Sequence, residues 1–224
     1  MRLVEAAMRS FPQVNARLLV GDDQISANPK LNNMVKAWRS AEFDHIVFAD
    51  SNLLVPPDYL ARLVSTWGPG VGLVSAPPIG SGVEGFWSEL EVAFLNTYEA
   101  RWQYLVDSVG FGFAQGKTLF YRRSILPGGL EALASEPAED AASTKIMRRS
   151  KLSIKLVTPP FFQPLGRRSF AEVWSRQIRW ARLRRATFPI LFLPEVATGL
   201  ALPLLAAAVG LSGAHLPLAP ALLA

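Results

Sequence analysis

Residues 45–52 read HIVFADSN, in which a run of apolar residues leads directly into the carboxylate of Asp50. Pro56 and Pro57 follow, and a helical pattern begins after them. This pattern predicts a buried β-strand that ends on Asp50. Ligands of open α/β sheets bind beyond the carboxyl ends of the strands, where a carboxylate can hold a divalent cation and the cation can hold phosphates. Asp50 is therefore interpreted either as a metal ligand or as the cap of a turn.

The segments on either side of this strand predict an α/β fold. Further strands are predicted at residues 16–20, 71–76, 118–121 and 151–157. Helices are predicted at residues 2–10, from Pro29 onward with Asn28 as the cap, and at 58–67, 85–109, 139–149 and 169–185. Residues 77–82 are predicted to form a loop. The aromatic stripe of the helix at 85–109 is expected to lie in the core or, alternatively, at a membrane interface.

The composition excludes several classes of site. The chain has 224 residues and no cysteine, which rules out disulfides, thiolate zinc sites and cysteine nucleophiles. Its two histidines, His45 and His215, are too few for a histidine-rich metal site. Neither histidine lies in a setting that is typical of a Ser-His-Asp hydrolase.

Charge is distributed unevenly along the chain. Residues 145–185 carry 12 Lys/Arg and one acid, whereas residues 1–144 carry 11 Lys/Arg and 16 Asp/Glu. From Val196 to Ala224 no residue is charged. A basic band beside an apolar segment is typical of a protein that meets the cytoplasmic surface of a membrane. Because no recognisable module for reading nucleic acid is present, nucleic acid is not expected as a partner.

Residues 188–224 predict a hydrophobic membrane segment. The stretch 188–211 is long enough to cross a bilayer of roughly 30 Å. Three prolines and Glu195 within it disfavour one straight helix. A spanning or re-entrant segment is the first interpretation, and a buried hydrophobic helix is the alternative.

Two further features carry residues that are able to do chemistry. Glu139 and Asp140 open a predicted helix, although acids in a first turn also suit the helix dipole without any other role. Residues 176–180 read RQIRW, which has the form Arg-x-x-Arg-Trp. Arginine can hold phosphate oxygens bidentately, and tryptophan offers a flat apolar face to a sugar or lipid. The alternative is that these arginines only anchor the helix to anionic lipid.

The order and spacing of four motifs resemble those of membrane-bound glycosyltransferases of the GT-A fold. The resemblance is closest to the ceramide glucosyltransferase family, which includes bacterial hopanoid-associated relatives. The motifs are NPKLNN at residues 28–33, FADS at 48–51, AED at 138–140 and RQIRWARLR at 176–184. The resemblance implies a GT-A mixed sheet flanked by helices. It divides the chain into a catalytic domain at 1–168, a basic amphipathic interfacial helix at 169–187 and the membrane segment at 188–224.

The resemblance also implies a reaction and a set of roles. Members of the family transfer a sugar from a nucleotide sugar to a lipid hydroxyl. Asp140 would be the general base of an inverting transfer, and Asp50 would bind the Mg²⁺ or Mn²⁺ that bridges the diphosphate of a UDP-sugar. Glu139 would help to bind donor or acceptor, or would orient and cap. The residues that match the family motif near acceptor and diphosphate are Arg176, Arg179 and Trp180.

Two departures from the family pattern are visible. The family carries a membrane segment, a first strand and a helix ahead of the region that corresponds to Met1, so the fold is expected to be incomplete at the N-terminus. The metal site shows a single acid, Asp50, in place of an Asp-x-Asp pair.

Four functional interpretations stay open at this point. The first is transfer of glucose to a lipid such as ceramide, and the second is transfer of N-acetylglucosamine to a hopanoid or diacylglycerol. The third is a processive polysaccharide synthase, and the fourth is an inactive membrane-associated fragment. The expected location is a bacterial inner membrane, with the catalytic part on the cytoplasmic side.

Overall fold

The computed structural model describes residues 2–126, 128–196 and 202–213. The elements in chain order are α1 Arg2–Ser10, α2 Pro29–Ser40, β1 His45–Ala49, α3 Tyr59–Thr66, β2 Val71–Ser75, β3 Pro78–Glu84, α4 Phe86–Ala93, a π-helical turn Phe94–Glu99, α5 Ala100–Ser108, β4 Thr118–Arg122, 3-10 turns at Arg123–Ile125 and Gly129–Leu133, α6 Glu139–Arg149, β5 Ser153–Leu156, β6 Phe161–Arg167, α7 Phe170–Thr187, α8 Pro189–Val196 and α9 Leu202–Gly213.

The chain forms two compact units, each assembled from separate stretches of sequence. The first unit contains residues 1–51, 55–77 and 106–160, and the second contains residues 52–54, 78–105 and 161–224. The boundaries of these two units differ from those of the three consecutive segments 1–168, 169–187 and 188–224 that the resemblance implies. The helix predicted at 169–185 is present as α7.

A four-stranded mixed sheet in the order β1-β4-β2-β5 forms the centre of the first unit. β4 runs antiparallel to β1 and β2, whereas β2 and β5 are parallel. The carboxyl ends of β1, β2 and β5 therefore share one edge with the start of β4. At that edge Ala49 pairs with Thr118, and the N–H of Asp50 donates to the carbonyl of Lys117 at 3.1 Å. The predicted mixed α/β architecture is confirmed, and it is consistent with a GT-A-like fold.

Helix α2 packs on the core of the first unit through the apolar face that its spacing predicts. The buried residues of this face are Leu31, Met34, Val35 and Trp38. The side-chain oxygen of Asn28 accepts from the N–H groups of Lys30 and Leu31, and Pro29 occupies the first helical position. A side-chain cap and a proline at this position both favour helix initiation, so the start of α2 is fixed by local sequence.

The second unit contains a two-stranded parallel sheet of β3 and β6. Helix α4 continues through the π-helical turn into α5, and Asn96 within that turn bonds both backbone groups of Gly80 at 2.8 and 3.0 Å. A Cβ at residue 80 would lie 2.6 Å from the side chain of Val92. Strand β3 therefore packs closely on this helix because residue 80 has no side chain.

Two sequence predictions about strands are wrong. Residues 16–20 form no strand, because nothing pairs with them as a ladder and the carbonyl of Val20 accepts instead from the side chain of Lys36. Residues 77–82 are not all loop, because β3 includes most of them, and β6 was not predicted at all. Glycine and proline disfavour strands, and the pairing of β3 with β6 outweighs that local preference.

Two further expectations are corrected. β1 ends one residue before Asp50, and Ile46 is the most buried residue of the strand at 8% exposure. The aromatic stripe of the helix predicted at 85–109 does not lie in the core, because Phe86, Leu90, Trp102 and Leu105 are exposed. The alternative position of this stripe at a membrane interface stays a prediction.

Helices α8 and α9 follow in the apolar part of the chain. Within the residues that the structure describes, no helix is both long enough and apolar enough to cross a membrane. Of the predicted membrane segment, residues 197–201 and 214–224 lie outside the described residues.

Candidate functional site

Four elements of the first unit meet at the edge where the strands of the sheet end. Asp50 follows β1 and Lys117 precedes β4, while the first turns of α2 and α6 supply Lys30 and Glu139. Helix N-termini carry partial positive charge, which favours the acidic groups that gather there. We define the carboxylate–lysine cluster as the group Lys30, Asp50, Gly116, Lys117, Glu139 and Asp140.

Lys30 lies at the centre of the carboxylate–lysine cluster. Its Nζ is 2.9 Å from Asp50 Oδ1 and 2.9 Å from Glu139 Oε1, and it also donates to the carbonyl of Gly116. An ammonium group has three N–H donors, so these three acceptors use all of them. Burial alone would lower the pKa of Lys30, but Glu139 and Asp50 outweigh it and hold the pKa above its ordinary value.

Asp50 is held by a lysine on each of its two oxygens. Oδ1 accepts from Lys30, and Oδ2 accepts from Lys117 Nζ at 2.8 Å. Burial alone would raise the pKa of Asp50, but the two lysines together hold it below its ordinary value. Asp50 is therefore charged at neutral pH and has two cationic partners.

The donor atoms around Asp50 do not fit a divalent cation as they lie. Both carboxylate oxygens are paired with ammonium groups, and a metal ion with oxygen ligands would have to displace at least one of them. In the described parts of the chain, no three His, Cys, Asp or Glu side chains form a group that could hold a metal. Mg²⁺ or Mn²⁺ at Asp50 therefore stays a prediction from the sequence.

Glu139 connects two helix starts. It is the first residue of α6 and is buried, and its Oε2 accepts from Asn28 Nδ2 at 2.8 Å. Asn28 thus caps α2 with its side-chain oxygen and binds Glu139 with its side-chain nitrogen. The motifs at 28–33 and 138–140 consequently form one hydrogen-bonded unit. These contacts agree with an orienting role for Glu139, and its contact with donor or acceptor stays a prediction.

Asp140 has a pKa that suits acid–base chemistry near neutral pH. Burial of the carboxyl group, with the neighbouring charge of Glu139, raises the pKa of Asp140 to about 6. The N–H groups of Ala141 and Gly116, which donate at 2.7 and 3.1 Å, act in the opposite direction, as does Lys30. The charged form is therefore available at neutral pH with a basicity close to that of an efficient general base.

Gly116 allows the backbone to approach these charged groups. A Cβ at residue 116 would lie 2.8 Å from Glu139 Oε1 and 3.0 Å from Lys30 Nζ. The hydroxyl of Ser75 accepts from the N–H of Gln115 at 2.9 Å and so fixes the preceding residue. Gly116, the last residue of the glycine-rich run at 110–116, therefore permits close packing of the backbone on the cluster.

Replacing Gly116 by alanine is expected to break the ion pair between Lys30 and Glu139. Both side-chain ends are flexible, so the backbone should stay in place while the charged groups move apart. We expect a loss of about 1–2 kcal/mol in the free energy of unfolding, read as a fall of a few degrees in melting temperature. Gly68→Ala is the matched control, because a Cβ at residue 68 would meet no atom within 4 Å. Equal melting temperatures for the two variants would contradict the close approach.

The predicted Arg-x-x-Arg-Trp motif lies on α7 in the second unit and forms a group of its own. Arg176 Nε donates to Glu91 Oε1 at 2.8 Å, and its guanidinium lies over the ring of Trp180, 4.9 Å from the centroid. The side chain of Glu91 is 0% exposed and that of Arg176 is 20% exposed. Arg179 is exposed. The contact of these residues with donor or acceptor stays a prediction.

Exposed aromatic side chains follow one another across the starts of α4 and α7. Ring centroids are 5.0 Å apart for Phe86 and Trp87, 4.9 Å for Trp87 and Phe170, and 5.8 Å for Phe170 and Trp174. All four side chains are at least 36% exposed, and we call them the aromatic row. Aromatic rings beside arginines on a helix are typical of a membrane interface.

The structure brings together three of the predicted site residues, Asp50, Glu139 and Asp140. It adds Lys30, Gly116 and Lys117 to that cluster, and in the second unit it pairs Arg176 with Glu91; the sequence assigned no role to the three added residues or to Glu91. One indication of a role for Lys30 was present in the sequence, because this residue lies in the motif NPKLNN at 28–33, just after the helix cap Asn28. Glu91 carried another, because it is an acid within the apolar run LEVAFL at residues 90–95. Lys117 carried none, since a lysine after a glycine-rich loop is ordinarily a solvated side chain.

A profile of glycosyl transferase family 21 matches residues 1–224. The chain belongs to glycosyl transferase family 21. Ceramide glucosyltransferase 1 of Caenorhabditis elegans is 25% identical over 197 residues, which cover 86% of this chain and 42% of that protein. Ceramide glucosyltransferase 3 of the same organism is 26% identical over 197 residues, which cover 86% of this chain and 43% of that protein. The ceramide glucosyltransferase of Komagataella phaffii is 29% identical over 166 residues, which cover 63% of this chain and 33% of that protein.

These similarities confirm the resemblance to the ceramide glucosyltransferase family that the four motifs predict. The chain spans less than half the length of the family relatives that it matches. Its activity, donor and acceptor are therefore matters of proposal, and a bacterial inner membrane as its location stays a prediction.

Proposed function

We propose that this chain contributes the catalytic part of a glycosyltransferase with a GT-A fold. The enzyme moves a sugar from a UDP-sugar to the hydroxyl of a membrane lipid. Glucose and ceramide are the proposed sugar and acceptor, in line with the names of the relatives. The observation that carries the proposal is the half-buried carboxyl group of Asp140, whose pKa is raised to about 6, at the edge of the sheet where ligands of α/β folds bind.

Asp140 is the general base in this proposal. The acceptor oxygen attacks the anomeric carbon of the sugar while its proton passes to the carboxylate of Asp140. The new carbon–oxygen bond forms as the bond to the diphosphate breaks, and the electron pair of that bond leaves with UDP. Attack on the face opposite the leaving group inverts the configuration and requires one base. No step is assigned to a divalent cation, because the donor atoms around Asp50 do not fit one.

The neighbours of Asp140 tune and hold this base. The charge of Glu139 helps to keep the pKa of Asp140 high, so that the carboxylate is basic enough to take the proton. Glu139 is itself held by Asn28 and Lys30. The proposed role of Arg176 and Trp180 is contact with the diphosphate or the acceptor.

We also propose that the second unit meets a membrane surface, with the catalytic part on the cytoplasmic side. The aromatic row supports this, together with exposed arginines on α7, which are Arg179, Arg182 and Arg185. Aromatic rings partition to the interface, and arginines attract anionic lipid. Flotation with anionic vesicles checks the proposal, and protein that stays with the soluble fraction at low salt would contradict it.

The product of the reaction tests the proposed function. The purified protein is incubated with UDP-glucose or UDP-N-acetylglucosamine and with vesicles that contain ceramide, a hopanoid or diacylglycerol, and the lipids are analysed by mass spectrometry. We expect one hexose on ceramide with release of one UDP per product. A product on another lipid would change the acceptor but keep the reaction. A polymer would identify a polysaccharide synthase instead, and the absence of any glycosylated product would contradict the proposal.

A further inference from the structure

Oxygen atoms from three separate segments converge on the ammonium group of Lys30. They are Asp50 Oδ1 after β1, Glu139 Oε1 at the start of α6 and the carbonyl oxygen of Gly116 before β4. Carboxylate and carbonyl oxygens are the ligands that hard metal cations take in proteins. The cluster thus presents a cation-binding set of oxygens, and a side chain of the protein itself occupies it.

We propose that the ammonium group of Lys30 is the resident cation of the carboxylate–lysine cluster and that it excludes a divalent metal ion from Asp50 and Glu139. Lys30 acts as a positioning residue, because its three donors are used by the protein. The catalytic consequence rests on the proposed function: sugar transfer proceeds without an added divalent cation.

The geometry of Asp50 carries the first step of this inference. A metal ion bound through Oδ1 would share its ligand with an ammonium nitrogen 2.9 Å away, and one bound through Oδ2 would meet Lys117 at 2.8 Å. Like charges at such separations repel strongly when they are partly shielded from water. A metal ion therefore has no approach to either oxygen of Asp50 unless a lysine leaves.

The position of Lys30 carries the second step. Its own N–H donates to the side chain of Asn28 at 3.0 Å, and Pro29 precedes it, so the backbone that carries Lys30 is fixed at the start of α2. Gly116 closes the other side, since even a Cβ there would lie 3.0 Å from Nζ. The ammonium group is thus held between Gly116, Asp50 and Glu139, in the place that a metal ion bound to the same oxygens would take.

The charge of the cluster carries the third step. Three carboxylates, Asp50, Glu139 and Asp140, face two ammonium groups, Lys30 and Lys117. Without the charge of Lys30, three carboxylates would face the single ammonium group of Lys117, and the oxygens that now bind Lys30 Nζ would have lost this cation. A variant without this charge should therefore acquire the divalent-cation site that the natural chain lacks.

The test compares Mn²⁺ binding by the natural protein and by the Lys30→Met variant. Electron paramagnetic resonance, which distinguishes free from bound Mn²⁺, measures the binding. Removing one unit charge from contact with two carboxylates should tighten Mn²⁺ binding on the order of 100-fold. Lys36→Met is the matched control, because Lys36 lies on the same helix and pairs with Asp23 at a longer 3.7 Å. Lys30→Arg keeps the charge and should bind Mn²⁺ as weakly as the natural protein.

A second arm measures sugar transfer to ceramide in excess EDTA, where we expect an unchanged rate. The inference is overturned if the natural protein binds Mn²⁺ through a site that Asp50→Asn abolishes, or if EDTA stops transfer and Mg²⁺ restores it. Should Lys30→Met fail to fold, Lys30→Gln takes its place in the titration. Failure of the proposed function would appear as no transfer with or without EDTA, and the Mn²⁺ titration decides the inference independently of that result.

Discussion

Asp140→Asn is expected to lose turnover by a factor of about 100 to 10,000, the usual contribution of a positioned general base. Asparagine is nearly isosteric with aspartate, and its side-chain oxygen can still accept from the N–H of Gly116, which lies 3.1 Å from the carboxylate in the natural protein. It has no lone pair basic enough to take the proton of the acceptor hydroxyl. The variant should therefore bind the UDP-sugar with nearly unchanged affinity while the chemical step fails.

The measurement is the rate of hexosylceramide formation beside the affinity for UDP-glucose in a calorimetric titration. Asp58→Asn is a suitable control, because the carboxylate of Asp58 is 54% exposed in the same unit and pairs with Arg62, four residues further along the chain. Undiminished turnover in Asp140→Asn would remove Asp140 from the role of base. Loss of UDP-glucose affinity together with turnover would assign it to donor binding instead.

The pH dependence distinguishes a base from a structural carboxylate. With a pKa of about 6 for Asp140, turnover should fall about tenfold per unit below pH 6 and be level above it. Stability moves in the opposite direction. Because burial raises the pKa of Asp140 from its ordinary 3.8, the folded state binds this proton more tightly than the unfolded chain. The free energy of unfolding therefore falls as the pH rises from about 4 to about 6.

Asp140→Asn should consequently be more stable than the natural protein at pH 8 and equal to it near pH 4. The expected gain at pH 8 is on the order of 3 kcal/mol, because the pKa rises from 3.8 to about 6 and each pKa unit corresponds to about 1.4 kcal/mol; urea unfolding measures it. Loss of turnover together with a gain in stability would show that Asp140 serves catalysis at a cost to the stability of the fold.

Local sequence signals were sufficient for the elements that surround the site. Asn28 with Pro29 specifies the start of α2, and the acids at 139–140 specify the start of α6. The apolar run before Asp50 specifies β1. Each of these signals lies within a few residues of the element that it determines, and for this reason the three predicted acids were placed within one residue of an element end.

The contacts within the site could not be predicted in the same way, because they are not local. Asn28 and Glu139, which share a hydrogen bond, are 111 residues apart in the chain. Lys117 meets Asp50 because β4 is inserted between β1 and β2, and sheet order has no signature in the strands themselves. The sequence therefore predicted Asp50 as a metal ligand but gave no sign that two lysines would occupy its oxygens.

In the second unit, local sequence signals were present but predicted the wrong structure. Glycines and prolines at 77–82 predicted a loop, whereas the parallel partner at 161–167 makes this segment a strand. The aromatic spacing of the helix after it predicted a core face, although the spacing of large apolar residues is the same for a core and for a face that meets lipid. Exposure of these rings was visible only after the helix had been placed.

Glu91→Ala is expected to lower the free energy of unfolding by about 3–5 kcal/mol, because it removes one partner of a buried ion pair. Glu91 is completely buried, and its Oε1 is the acceptor for Arg176 Nε. The guanidinium of Arg176 would then lose its ion-pair partner while lying largely out of water, and its position over the ring of Trp180 would no longer be fixed. A fall of about 10 °C in melting temperature corresponds to such a loss in a chain of this size.

Two companion variants separate the ion pair from other effects of the substitution. Glu89 lies two residues before Glu91 on the exposed face of the same helix. The variant Glu89→Ala should therefore change the melting temperature little. The double variant Glu91→Met with Arg176→Met removes both charges and should recover most of the lost stability, because no buried charge is left alone. If the double variant is as unstable as Glu91→Ala, the two residues do not act as a pair.

The activity of these variants then bears on the family motif. In the natural protein the orientation of Arg176 and Trp180 depends on a carboxylate that lies outside the motif. The double variant, folded but without Arg176, should transfer sugar poorly if the guanidinium contacts donor or acceptor, whereas a variant at Glu89 should transfer it normally. A stable double variant with full activity would show that Arg176 and Glu91 serve the fold alone, and the search for the diphosphate ligand would move to Arg179.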